Sequence, residues 1–241
     1  MDLQVNKTKF VNSLLNPVSK IADNLLLEFD KESTKIKTLV SSSDNSVIFL
    51  GEAHCKVSAP TKCVIPDCKT FLRLFSNIEN EDITLTIDDN SIRYKEKGSN
   101  FSFKYHLLDE SYIVNKKSIN EEKLNQLKFD TSFLVTKQKL SEIIKFNSIV
   151  PDAEKLYFYT KENKVFIKLG DDQKANTNEI LAEFSPSYEG KDVVEPLPIH
   201  IQNLLLFSFA DDTINVSINH SLKVLKFETK ELKYIVSGLV K

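Results

Sequence analysis

Glycine is scarce in this 241-residue chain, with five residues and neither a G-x-G-x-x-G nor a G-x-x-x-x-G-K run. The two commonest backbone cradles for phosphate are therefore missing, which argues against a nucleotide-driven enzyme. Arginine is scarcer still. Arg73 and Arg93 are the only arginines among 32 basic residues, so the cationic surface consists of lysine point charges rather than planar forks suited to bidentate base reading. No apolar run approaches the ~18 residues of a membrane span. Met1 to Phe10 lacks the basic, apolar, small-residue order of a secretory signal. A cytoplasmic setting without membrane contact is expected. Three cysteines, Cys55, Cys63 and Cys68, cannot all pair with one another, so reduced thiols are expected rather than a disulfide framework.

What remains is an ordinary globular composition, 41% hydrophobic and 27% charged. The net charge of -2 means that any surface able to attract a polyanion must be local.

The chain is self-similar. An offset of 130 places Val5 on Val135, Lys7 and Lys9 on Lys137 and Lys139, Leu14 on Ile144 and Lys31-Glu32 on Lys161-Glu162. Near the same offset, Ile83, Leu85 and Ile87 meet Ile214, Val216 and Ile218. In the first half, Asn6 can cap a helix whose apolar side is Phe10, Val11, Leu14, Leu15, Val18 and Ile21, with Pro17 expected to kink or shorten it. Strands are expected at Leu25 to Phe29, Lys35 to Val40 and Val47 to Cys55, then a helix capped by Asp67. A meander over Ile83 to Ile87, Ser91 to Tyr94 and Phe101 to Leu107 follows. The second half repeats the plan: a helix from Thr136 through Ile149, a hairpin turning at Lys161-Glu162-Asn163, a strand over Ile180 to Phe184, a short helix from Ile201 to Ala210 and three final strands. Asp109 to Lys128 is polar, with Lys116, Lys117, Glu121, Glu122 and Lys123, and reads as a linker. The expected division is residues 1-108, a connector 109-128 and residues 129-241.

Rival chemistries are poorly supported. His54, Cys55, Cys63 and Cys68 lie close together but lack the paired C-x2-C knuckle of structural zinc sites, so no metal or other cofactor is expected. The acid pairs Asp88-Asp89, Asp171-Asp172 and Asp211-Asp212 fall where turns or helix ends are expected, and adjacent side chains on a strand point apart. No catalytic residue is assigned.

An α+β chain of two similar domains joined by a long connector resembles the two-domain DNA sliding clamps, the trimeric T-even phage polymerase clamps and proliferating-cell nuclear antigen. The resemblance is carried by the opening helix Lys7 to Ile21, Cys63 to Phe71, Asp82 to Ser91, Phe184 to Gly190 and Leu232 to Gly238. It implies the DNA clamp fold: sheets outside and two helices per domain inside a homotrimeric ring, which binds duplex DNA without sequence preference and tethers a replicative polymerase as a processivity factor. A separate clamp loader would open it. The alternative is a β-rich phage structural or assembly protein that does not encircle DNA, separable by solution mass. On that basis, with the helix polar faces read from the sequence, Lys7, Lys9, Lys20, Lys69, Arg73, Lys137, Lys139 and Lys145 are the DNA-lining candidates. Family position puts Phe101, Phe103 and Tyr105 of one copy against Ile180, Ala182 and Phe184 of the next. It also assigns Leu39, Val47, Tyr112, Ile113, Ile235, Ser237 and Gly238 to a pocket for partner peptides, although Ser-Gly here replaces the Ala-Pro often found in the nuclear antigen.

Overall fold

The computed structural model describes residues 1–96, 98, 100–112, 120–170, 178–209 and 213–239. The chain divides into two compact units, Met1–Glu121 and Glu122–Lys241.

Unit 1 is one continuous antiparallel sheet. Its strands are β1 (Asp2–Asn6), β2 (Leu25–Asp30), β3 (Lys35–Ser41), β4 (Val47–Val57), β5 (Thr61–Ile65), β6 (Asp82–Asp88), β7 (Ser91–Lys95) and β8 (Ser102–His106). They run in spatial order β5-β2-β3-β4-β1-β6-β7-β8. The eleven-residue β4 makes this continuity possible: its first part pairs with β3 through Lys35↔His54, and its end pairs with β1 through Val5↔Cys55. Just past β8, Leu108 bridges back to Val64 on β5. Buried and exposed residues alternate along β2 and β6, as expected for a sheet with one face on a core.

Two helical segments cover that core. The first comprises α1 (Lys7–Phe10), a π-turn (Val11–Leu15) and α2 (Asn16–Ser19). Pro17 accounts for the irregularity. Proline lacks an N–H and its ring collides with the carbonyl four residues back in a regular helix. Widening the preceding turn places Pro17 near the start of α2, where no intrahelical donor is needed. The helix continues through Pro17 instead of ending there. Phe10 packs on Phe75 of α3 (Cys68–Phe75), with ring centroids 5.4 Å apart, and Phe71 meets Tyr105 at 4.8 Å. Gly51 of β4 lies directly beneath: a Cβ there would fall 2.7 Å from the Ser13 carbonyl oxygen and 2.5 Å from the Phe49 ring. Only glycine permits so close an approach of strand to helix.

The described parts of the connector include a 3-10 turn (Glu110–Tyr112) and α4 (Glu121–Asn125), so the 109-128 segment carries short helical structure as well as polar linker sequence.

Unit 2 has two antiparallel sheets. One is β13-β9-β15-β16-β17, from β9 (Thr131–Thr136), β13 (Glu189–Gly190), β15 (Thr213–Asn219), β16 (Val224–Glu228) and β17 (Leu232–Ser237); the other is β12-β11-β10-β14, from β10 (Lys155–Lys161), β11 (Lys164–Leu169), β12 (Ile180–Ser185) and β14 (Leu197–His200). The β10–β11 hairpin turns on Glu162 and Asn163, both at positive φ, which matches the right-handed twist of the flanking strands. Phe133, Phe158, Phe184 and Phe227 form the aromatic core, with Phe158 and Phe184 5.4 Å apart. Helix α5 (Lys137–Ile149) is regular. The segment expected as a second α-helix is a 3-10 helix, Ile201–Phe209. Its sequence, IQNLLLFSF, is apolar almost throughout and has no polar stripe to set an α-helical face.

Among the described residues, no helix is long and apolar enough to cross a membrane.

Candidate nucleic-acid interface

Both opening helices start the same way. Asn6 Oδ1 accepts from the Lys9 amide at 3.1 Å, and Thr136 Oγ1 accepts from the Lys139 amide at 3.2 Å. Each cap satisfies an otherwise orphaned donor and fixes where the lysine row begins. Asp67 does the same for α3 through the Thr70 amide at 2.9 Å.

The eight cationic candidates are not equivalent. Lys7 is a structural tie: its ammonium donates to the Ile78 carbonyl at 2.8 Å, lies 3.4 Å from Glu81, and its side chain is only 18% exposed. Lys139 is paired with Glu142 at 3.0 Å, and Lys69 lies 3.5 Å from Asp23. Partial burial holds the Lys20 ammonium below the usual lysine range. Lys9, Arg73, Lys137 and Lys145 are exposed or half-exposed and have no ion pair among the described residues. In unit 1 the two helices border a groove of about 390 Å³ that includes Lys7, Asn12, Asn16 and Arg73, and Asn16 donates to Asn12 at 3.2 Å. These amides face the same groove as Arg73, although the charge pattern of the sequence gave them no prominence. In unit 2, Gln202 and Asn203 are the polar residues of the 3-10 helix whose side chains are described, so that helix adds no cation to those of α5.

The six residues assigned to a contact between copies divide by burial. Phe101, Phe103, Ile180 and Ala182 are half-buried at the ends of their sheets. Tyr105 and Phe184 are core residues of their own units. Tyr105 is 9% exposed, its hydroxyl donating to the Asp67 carbonyl at 2.8 Å and accepting from the Asp67 amide at 3.0 Å; Phe184 is 2% exposed among Phe133 and Phe158. Strand alternation turns these two inward, and the outward positions of the same strands carry Lys104, His106, Leu181 and Glu183.

The peptide-pocket candidates are distributed over both units. Leu39 is half-buried on β3 and Val47 is buried on β4. Tyr112 ends the 3-10 turn, and Ile113 lies outside the described residues. Ile235 is buried and Ser237 exposed on β17. Gly238 packs tightly: a Cβ would stand 2.8 Å from both Leu197 Cδ1 and the Lys223 carbonyl.

The cysteines are buried. Burial pushes the Cys55 thiol up to about 11 and those of Cys63 and Cys68 to about 12, which keeps all three protonated near neutrality and opposes their use as thiolate ligands. Among the described residues no group of three or more His, Cys, Asp or Glu is placed to hold a metal ion. Asp88 sits beside the β6–β7 turn, 3.1 Å from Arg93; the other two acid pairs, Asp171-Asp172 and Asp211-Asp212, lie outside the described residues.

No family model and no curated protein matches the sequence. Solved structures do match. The PCNA of A. fulgidus, solved with the C-terminal region of FEN-1, superposes with a TM-score of 0.79 at 11% identity over 100% of this chain and 98% of that one. The PCNA2-PCNA3 complex of Sulfolobus tokodaii gives 0.75 at 13% identity, covering 99% of each chain. The DNA polymerase III β subunit of Borrelia burgdorferi gives 0.75 at 15% identity, over 100% of this chain and 64% of that longer one. Across its whole length, therefore, this chain has the fold of the DNA sliding clamps.

Proposed function

We propose that three copies of this chain close into a ring around duplex DNA and tether a replicative polymerase to it, with no catalytic chemistry of their own. The observation that carries this reading is the recurrence of unpaired cations on capped helices of both units, Lys9 and Arg73 in one and Lys137 and Lys145 in the other, within a clamp fold. A ring held by topology needs no tight grip on its track. A bidentate base contact would contribute ~1–3 kcal/mol and arrest the ring at that sequence. Lysines that meet phosphates loosely give a sequence-independent attraction instead. The ion pairs at Lys7, Lys69 and Lys139 make those three secondary contributors; Lys20 contributes from a partly desolvated position.

Ring closure in this reading joins the β8 edge of one copy to the β12 edge of the next, with Phe101 and Phe103 covering Ile180 and Ala182. Two-domain length favours three copies, and the PCNA2-PCNA3 structure shows clamp chains of this length associating with one another. The FEN-1 segment on the A. fulgidus clamp supports a peptide-binding role. Leu39, Val47, Tyr112, Ile113, Ile235, Ser237 and Gly238 are the residues proposed to receive such peptides from a polymerase or a clamp loader. In this reading the work is done in the cytoplasm, that of an infected host cell if the chain is viral.

The test is primer extension on a singly primed circular template with the cognate polymerase and loader. Longer products in the presence of this protein are expected, and unchanged length overturns the proposal. Charge reversal at Lys9 and Lys137 together is expected to weaken loading or sliding while leaving solution mass unchanged.

A further inference from the structure

We infer that opposite charge on the two free strand edges makes one copy of this chain accept the next preferentially head to tail, and makes that assembly sensitive to salt. The inference rests on the ring reading and adds to it the side chains that choose the contact.

Among the described strands, β8 pairs only with β7 and β12 only with β11, so each is a sheet edge. Unpaired edges invite another strand and are commonly guarded by charge. On β8 the inward positions are Phe101, Phe103 and Tyr105, which turns Lys104 and His106 to solvent. Neither has an ion partner among the described residues. One strand behind, Arg93 is the cross-strand partner of Lys104 and is itself held by Asp88 at 3.1 Å.

The β12 edge has the opposite sign. Glu183 and Leu181 point outward, Leu181 at 58% exposure, with Glu179 at the same parity just before the strand. Each glutamate uses one oxygen for a lysine on β11: Glu183 Oε2 lies 2.8 Å from Lys164 and Glu179 Oε2 lies 2.7 Å from Lys168. The lysines lie on the sheet side, so the row nearest the free edge is acidic with Leu181 at its centre. Both glutamates stay about half exposed, and the second oxygen of each has no ion pair among the described residues.

Joining β8 to β12 therefore brings Lys104 and His106 toward Glu179 and Glu183, within reach as direct or diagonal cross-strand neighbours. Joining β8 to β8 would oppose Lys104 to Lys104, and β12 to β12 would oppose carboxylates to carboxylates. Repulsion disfavours both isologous pairings relative to the heterologous one, the kind that generates rings. The charges are exposed, so salt screens them over ~10 Å at 0.1 M.

The test measures the mass of the full chain by sedimentation across protein and salt concentration. The unaltered chain is expected to associate toward three times its 27.5 kDa and to require more protein for association as salt rises. Glu179→Gln with Glu183→Gln removes the attraction and weakens association. Lys104→Glu with His106→Glu opposes acid to acid and weakens it further, by about tenfold or more in the half-association concentration. In that second background the same two glutamine substitutions relieve repulsion and strengthen association. This change of sign is specific to charges that face one another, and a merely structural role for the glutamates does not produce it. Equal effects in both backgrounds, or association of the unaltered chain that ignores salt, overturn the inference while the ring reading stands. An unaltered chain that stays monomeric at every concentration removes the ring reading itself, and the inference with it.

Discussion

The two opening helices have the same length and the same kind of cap but differ in how deeply they are set. Lys7 to Ser19 and Lys137 to Ile149 each span 13 residues and begin on a side-chain cap. In unit 1, Leu14, Leu15 and Val18 are fully buried, Gly51 lets the backbone approach the sheet, and Lys7 is fastened to Ile78. In unit 2, Ile144 and Phe146 are half-buried, Ile149 is 65% exposed, and Lys137 has no ion pair among the described residues. A lysine at the same repeat position thus holds a loop in one unit and remains available in the other. Repeat position alone does not assign a role; the partner does.

The sharpest way to break this comparison is to push the unit 1 helix off its strand. Gly51→Ala is expected to cost about 1–3 kcal/mol in denaturant unfolding, because the helix carbonyl and the Phe49 ring must both move. Ile149→Ala, at the exposed end of α5, should stay within about 0.5 kcal/mol. Equal losses at the two positions would erase the distinction. Next in size, Lys7→Ala should cost about 1–2 kcal/mol through its lost carbonyl bond, whereas Lys137→Ala should leave stability unchanged and affect DNA retention. The two caps offer an internal control: Asn6→Ala and Thr136→Ala should each cost about 1 kcal/mol, since both satisfy the same kind of amide.

The smallest effect at neutral pH, and a local one in acid, concerns Glu96. This residue is 3% exposed and accepts from the amides of Glu79 and Asn80 at 2.9 and 3.2 Å, and from the Asn80 side chain and the Tyr94 hydroxyl. Burial pushes its carboxyl up, but these donors together hold it below the usual glutamate range. A depressed folded-state pKa contributes stability above the unfolded value and loses it as pH falls through the folded one. Hydrogen-exchange protection over residues 78–81, measured relative to the intrinsic rate at each pH, is therefore expected to fall below about pH 4. In Glu96→Gln that acid step should shrink to the part set by Glu81, which the Thr8 and Lys7 contacts also hold below the usual range. In unit 2 the Lys191 ammonium and the His220 amide hold Asp130 below the usual range, and, against the cost of burial, Lys226 and Lys233 hold Glu228 below it, so acid acts there at other places.

Much of the local structure was legible. Asn6, Asp67 and Thr136 could be read as caps because each precedes an apolar helical period, and the Glu162-Asn163 turn because it separates two alternating runs. Strands β1 and β9 escaped notice because each runs straight into its helix cap, leaving only five or six residues to show a period of two. Strand β14 contains Pro198 and is four residues long, which argues against a strand on local grounds, yet it pairs with β10 at the side of its sheet. The π-turn follows from Pro17, whereas the close approach of the Ser13 carbonyl to Gly51 joins residues too far apart in the chain to be read locally. At the candidate site, the cations were visible and their pairing was not. The carbonyl that holds Lys7 is 71 residues away in the chain.

Amino-acid order by itself determined the duplication, the helix starts, the lysine rows and the sign of charge along each strand, because these depend on neighbours a few positions apart. Only the tertiary structure decided which lysines are already bound, which aromatic residues of the edge strands turn inward, and where glycine is indispensable. Those outcomes depend on groups brought together from distant positions, and burial there decides whether a charge or a ring is free to meet a partner.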